Sequence, residues 1–417
     1  MLPIKRKLNS AVWRLKQAAI DGYNAALKAF VETLTEKYWL LDYLPTFAKR
    51  KEGVLVVRLD LIGDFVLWLD SAQAYRQLYP NKKITLAVNS ACGELAKALP
   101  HWDEVISVNV HRLRTDFVYR LRTLIELRWH NFAIAIQPTF SREFVGDLAL
   151  RSSNAPKRIG YSGDSNNMLV AQKVKTDTWY GELIINDPSC TMELSINAHF
   201  VRELGCIDFL SNVPSIPKIT KIETNFPDTK KPYVVIAPGA SWQPKTWPID
   251  NFANLIEKLN SQFDIHFVLC GGKDDYVLCN TLAQKVNLNN VTNLANQTNL
   301  VELIEIIRAS TLVITNDSSP AHIAAATATR SICILGGGHF GRFLPYSTEN
   351  LNNPSISIKA VWHEMDCFGC SWKCKFQLEG NQAVPCISRI SVDLVAIRCE
   401  ALLTQILNTT TPFAQAQ

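Results

Sequence analysis

The stretch that most limits how this chain can fold covers residues 311–326, TLVITNDSSPAHIAAA. Its first five residues are β-branched or apolar, the composition of a strand buried on both faces. Asn316, Asp317, Ser318, Ser319 and Pro320 break that run with turn and N-cap chemistry. Pro320 suits a first helical turn, where its missing N–H is not needed. From His322 onward, small residues continue as a helix able to pack close to a sheet. A strand that ends in a polar turn and opens a helix turns free N–H groups and the positive dipole end toward one point, which suits an anion. An ordinary capped connection has the same composition, so the rest of the chain must decide.

The rest repeats the pattern. Strands are expected at 54–58, 84–88, 104–108 and 132–136, with helices at 64–78 and 141–150 between or after them. After a stretch rich in Pro, Lys and Thr, strands recur at 233–237, 265–269, 312–315 and 331–335, with helices at 250–259, 276–286, 300–309 and 321–326. Strands alternating with helices imply parallel, doubly wound sheets. The expected divisions are a basic amphipathic helical extension (1–50), a Rossmann-like half (51–210), a linker (211–231), a second Rossmann-like half (232–390) and a closing helix with tail (391–417). Two α/β halves place a cleft between the carboxyl ends of their sheets, where such folds bind ligands.

Composition narrows the partners. At 47% hydrophobic and 19% charged residues, the chain is globular in character. A net charge of +5 suits an acidic ligand but does not by itself argue for nucleic acid. Residues 1–50 hold nine Lys and Arg against four Asp and Glu, a net of +5 that equals the charge of the whole chain. Such a basic amphipathic segment fits an anionic membrane surface or a solvated helix packed on the protein body. No apolar run reaches the roughly 18 residues that cross a bilayer, and no signal-peptide pattern opens the chain. The expectation is a cytoplasmic protein, with at most peripheral contact at the inner face of the membrane. Its eleven cysteines are then thiols, or metal ligands where clustered.

Several chemistries fall away. The first strand–turn–helix reads RLDLIGDF, not a Gly-rich dinucleotide fingerprint, and neither a P-loop nor a Gly-x-Ser-x-Gly elbow occurs. What remains is polar loops after strands. In Arg58-Leu-Asp-Leu-Ile-Gly63-Asp64, the Asp64 carboxylate could take a proton from a substrate hydroxyl or simply cap a helix. Asp60 is the rival base. In the loop PGASWQPKTWP (238–248), Lys245 could neutralise a phosphate or remain a surface lysine. Loop GGKDD (271–275) offers Asp274 to a ribose. The arginines at 112, 114, 120, 122 and 128 could meet acceptor phosphates or line a solvated helix face.

Together these loops resemble glycosyltransferase family 9, the lipopolysaccharide heptosyltransferases. The resemblance covers most of residues 53–408. It is carried by VLVVRLDLIGDFVL, NAPKRIGY, YVVIAPGASWQPKTWPIDNFANLI, LCGGKDD, NLANQTNLVELIEIIRAS, TLVITNDSSPAHIAAA and LGGGHFGRFLPY. It implies a GT-B fold and inverting transfer of a sugar, usually heptose from ADP-heptose, onto a glycan or lipid-linked envelope acceptor. By this likeness Asp64 is the base and Lys245 the donor-phosphate cation. Ser241, Asp274, Asp317, Ser318, Ser319 and His322 fall on the donor site, and Arg58, Arg142 and Arg342 are candidate acceptor contacts. No cofactor is required for transfer.

Cys367, Cys370, Cys374 and Cys386 depart from the simplest members and suggest structural zinc or iron, or else free thiols under a surface loop. The autotransporter protein O-heptosyltransferase branch, where such a cluster would hold metal, is one alternative. A catalytically idle nucleotide-sugar-binding module is another. A GT-B epimerase fits the architecture but not the PGASW…KTWP stretch.

Overall fold

Strand β1 (Val54–Arg58) is buried along its whole length, as expected of a run of branched apolar residues covered on both faces. It lies between β2 (Ile84–Asn89) and β4 (Ile134–Gln137). With β3 (Glu104–Val108), β5 (Lys157–Tyr161) and β6 (Glu182–Ile184) they form a six-stranded sheet in the order β3-β2-β1-β4-β5-β6. Every pairing in it is parallel. The structure, a computed structural model, describes residues 52–219, 231–347, 351 and 357–410. The expected extension at 1–50, most of the linker and the end of the tail therefore lie outside the described residues.

The second half repeats this plan. Strands β7 (Tyr233–Ala237), β8 (His266–Leu269), β9 (Val291–Asn293), β10 (Leu312–Asn316), β11 (Ser331–Ile334) and β12 (Ile358–Val361) are ordered β12-β11-β10-β7-β8-β9. All of these pairings are parallel too. In each sheet the winding reverses beside the first strand, at β1/β4 and at β7/β10. Loops diverge there and leave a crevice at the carboxyl ends of the strands. The expected helix at 64–78 is divided into Ile62–Ala72 and Ala74–Leu78.

The two halves meet through a pair of helices. Ile62–Ala72 follows β1, Ser319–Ala326 follows β10, and the two pack against each other. Phe65, Val66 and Leu69 share one apolar cluster with Ile323 and Ala324. The small residues of the second helix make that approach possible.

Trp247 anchors the long loop after β7. Its side chain is fully buried, its Nε1–H donates to the Ile390 carbonyl at 2.9 Å, and its ring stands edge-on to Phe252 at 5.0 Å. Trp247→Ala is expected to cost about 3–5 kcal/mol through the cavity and the orphaned carbonyl, read as a lower urea midpoint at unchanged slope. A loss below about 1 kcal/mol would mean the loop is held by something else.

Candidate active site

The loop leaving β1 brings two carboxylates and a buried guanidinium together. Arg58 is 1% exposed and stands 2.7 Å from Asp60 through Nε. It also donates from Nη2 to the Asp64 backbone carbonyl at 3.3 Å. Asp60 accepts from the Thr139 hydroxyl at 3.1 Å, which ties the loops of the two switch-point strands together. Asp64 lies in the first turn of helix Ile62–Ala72, whose N-cap is Leu61, so the carboxylate is not spent on capping. Burial, reinforced by Asp60 and Glu193, pushes the Asp64 carboxyl up to about 7, while Arg58 and Arg342 oppose the shift. A carboxyl poised there can exchange a proton near neutral pH.

Across the crevice, helix Ser319–Ala326 begins at Ser318, which caps it with extended backbone but no side-chain hydrogen bond. Pro320 brings no N–H and the Ala321 N–H is used on the Ser318 carbonyl at 3.0 Å, so the Ser319 N–H and the positive dipole end are what this start can offer an external acceptor. Gly63 makes the close approach: a Cβ there would stand 3.3 Å from Cδ2 of His322 and 3.7 Å from Cα of Ser319. His322 is buried, pairs through Nδ1 with the Tyr346 hydroxyl at 2.9 Å, and is driven to about 4 by burial and then by Lys245. It is therefore neutral at pH 7.

Lys245 closes a short 3-10 turn, Gln243–Lys245, and holds its ammonium 3.9 Å from Asp317. Burial raises the Asp317 carboxyl and Lys245 opposes it. Asn316 is a residue that sequence reasoning missed. Its buried side chain donates to the Pro238 carbonyl and accepts from the Trp247 N–H at 3.0 Å, fixing the Lys245 loop to the end of β10. Gly63, next to Asp64, packs on the start of this helix, and Lys245 approaches the Asp317 that precedes it. Ser241 is exposed on the rim of the loop.

Other residues depart from expectation. Arg142 is fully buried, 3.5 Å from Asp147, paired with Asp177 and stacked on Tyr180 at 4.6 Å. Arg58 is similarly enclosed. Neither presents a guanidinium to an acceptor, because each buried cation is turned onto carboxylates of its own half, Asp60 for Arg58 and Asp147 with Asp177 for Arg142. Arg342 reaches from the second half into the first. It binds Glu193 at 3.1 Å and donates to the Ser141 hydroxyl at 2.9 Å. Asp274 is exposed, whereas Asp275 accepts from the Gly272 N–H at 2.9 Å and its carboxylate lies where a side chain on Gly239 would need to be. Asp275, not its neighbour, faces the loop after β7.

Of the arginine series, Arg112 pairs with Asp116, Arg114 pairs with Glu143 and Arg120 donates to the Leu113 carbonyl. Arg112 braces the end of its own helix, Arg120 ties helix Phe117–Trp129 to Val110–Thr115, and Arg114 reaches the start of Phe144–Ser152. The expected metal cluster is not supported. Among the described residues no three His, Cys, Asp or Glu side chains stand close enough to share an ion. Cys386 is buried and accepts from the Gly337 N–H at 3.5 Å, while Cys367, Cys370 and Cys374 are partly exposed on the preceding loop. The structure therefore lends the expected ligand set no support.

Comparisons with known proteins agree with this architecture. The family model for glycosyltransferase family 9 (heptosyltransferase) matches residues 148–367. Lipopolysaccharide heptosyltransferase 3 of Escherichia coli K12 is 31% identical over 299 residues, covering 69% of this chain and 83% of that one. Lipooligosaccharide heptosyltransferase 2 of Haemophilus influenzae is 24% identical over 345 residues, covering 75% and 90%. In three dimensions the chain is similar to E. coli ADP-heptose lipopolysaccharide heptosyltransferase II, with a TM-score of 0.61 at 18% identity over 85% of this chain and 99% of that one. A family 9 glycosyltransferase from Veillonella parvula gives 0.63 at 18% identity, over 86% and 99%. The fold is the GT-B arrangement of two facing doubly wound halves. With more than half its length matched by the family model and a relative above 30% identity covered over four-fifths of its length, this chain belongs to glycosyltransferase family 9 and is a glycosyltransferase.

Proposed function

We propose that the protein transfers heptose from an ADP-sugar to a lipopolysaccharide-core or related envelope glycan, with inversion at the anomeric carbon. The acceptor hydroxyl attacks that carbon and Asp64 takes its proton. The bond to the diphosphate breaks as the new glycosidic bond forms. Lys245, the Ser319 N–H and the positive end of helix Ser319–Ala326 stabilise the charge arriving on the departing ADP. Asp317, Ser318, Ser319 and His322 border the donor, Asp275 offers its carboxylate to the ribose, and Ser241 lies at the rim. Arg342 is the remaining candidate for an acceptor anion. Transfer in this scheme needs no metal.

The observation that carries the reading is the close packing of Gly63, the residue before Asp64, on the start of the helix whose preceding Asp317 lies 3.9 Å from the Lys245 ammonium. The relatives' printed names supply heptose and the lipopolysaccharide setting. No described helix is long and apolar enough to cross a membrane. Action at the cytoplasmic face, with the acceptor presented from the membrane, fits the scheme.

The direct test incubates the protein with ADP-heptose and other sugar nucleotides, with and without core-glycan acceptors, and follows release of the nucleoside diphosphate. Acceptor-dependent ADP release is the expected result, and release from another sugar nucleotide alone would displace the donor assignment. The pH profile supplies a second check. The base is competent only when ionised, so kcat/KM should fall tenfold per unit as pH drops below about 7. A profile flat down to about pH 5 would remove Asp64 as the base.

A further inference from the structure

The run Gly336-Gly337-Gly338 after β11 is filled by two rings from the loop that carries the cysteines. A Cβ on Gly337 would overlap Phe368, and one on Gly338 would overlap Trp372. On Gly336 it would come within 2.7 Å of Trp372. Backbone bonds fasten the same contact, from the Gly369 N–H to the Gly337 carbonyl at 2.7 Å and from the Ser371 N–H to the Gly338 carbonyl at 2.8 Å. To enter, the chain turns left-handed at Gly369, Ser371 and Trp372, with φ of 82°, 50° and 62°. Non-glycine residues adopt that conformation only where the surroundings hold them to it.

What this insertion delivers is a ring beneath the donor-site lysine. The Lys245 ammonium stands 4.4 Å from the Trp372 ring centroid, on the same side chain that reaches Asp317 at 3.9 Å. Trp242 and His339 meet Trp372 edge-on at 6.1 and 6.2 Å, so the indole is braced from two sides. A lysine has four rotatable bonds and a strongly hydrated head, and without a rest it would sample many positions. An indole face attracts an ammonium by its quadrupole while leaving its N–H groups free to donate.

We propose that Trp372 is a positioning residue. Its ring seats the Lys245 ammonium where it meets the donor diphosphate, which makes the cysteine-bearing loop a working part of the donor site. This rests on the assignment of Lys245 to the diphosphate.

The experiment measures ADP binding by calorimetry at low ionic strength, so neither the sugar nor the acceptor enters. In W372L affinity should fall about tenfold, or about 1.4 kcal/mol, while W372F keeps most of it. In a K245Q background, W372L should add less than about a twofold loss. A full tenfold loss in that background, or none in the parent, overturns the proposal while leaving the site assignment standing. If K245Q itself leaves ADP affinity unchanged, the diphosphate assignment fails and takes the proposal with it. Fluorinated tryptophans introduced at 372 keep the shape and weaken the ring's negative face, so they separate electrostatics from folding. Affinity should decline stepwise with each added fluorine, and an unchanged series overturns the proposal even if W372L is unstable.

Discussion

Asp64→Asn is expected to lower kcat by about 10²–10⁴-fold while ADP affinity changes by less than about twofold. The amide keeps the shape and the neutral charge that Asp64 has when protonated, so the first turn of helix Ile62–Ala72 has no reason to move. What it loses is the capacity to accept a proton. The same substitution has a second signature in stability. The carboxyl titrates near 7 when folded against an ordinary value of 3.8. Between those values the folded protein holds a proton that the unfolded chain has released, so stability contributed by this group falls as pH rises through the window. Asp64→Asn should therefore gain stability over the parent, and gain more at about pH 8 than at about pH 4. Full turnover in the variant, or a stability difference of the opposite sign, would exclude the assignment.

Lys245→Gln should lower kcat by about 10²–10³-fold, together with the loss of ADP affinity described above. The Lys245 side chain is 14% exposed and that of Asp317 9%, so the pair operates in a poorly hydrated setting where a charge aimed at the leaving group counts for more than in water. Glutamine can still donate to a phosphate oxygen but carries no charge, so adding salt should narrow the gap between parent and variant. Removing the lysine also leaves Asp317 buried without its counter-ion, and its carboxyl should move further upward. Steady-state rates at two ionic strengths provide the check, and equal rates for parent and variant would discard the role.

Much of this was legible from local chemistry. The runs ending at Arg58, Ala237 and Thr315 read as buried parallel strands because branched apolar residues fill them and turn residues stop them, and the structure carries the last of them one residue further, to Asn316. The helices Tyr276–Val286 and Leu300–Ala309 have clear period and caps, and their observed limits are those expected. Strands β6 and β9, of three residues each, and β5, which opens on Lys157 and Arg158, carry too little pattern to stand out. Ion-pair partners are long-range facts. Nothing near Arg142 in the chain announces Asp177, and nothing near Arg342 announces Glu193. The phase of a single 3-10 turn turns Asp275 rather than Asp274 toward Gly239. Cysteine spacing suggested a metal, but spacing alone does not fix how side chains converge: Cys386 is buried, whereas Cys367, Cys370 and Cys374 are partly exposed.

The apolar seam between helices Ile62–Ala72 and Ser319–Ala326 bears on how the molecule can move. Prising the halves apart there would wet Phe65 and Ile323, whereas a sideways glide of one helix along the other keeps both dry. Substrate exchange by shear is therefore cheaper than a wide hinge opening. For the same reason, either half produced alone would expose its share of the seam and tend to self-associate.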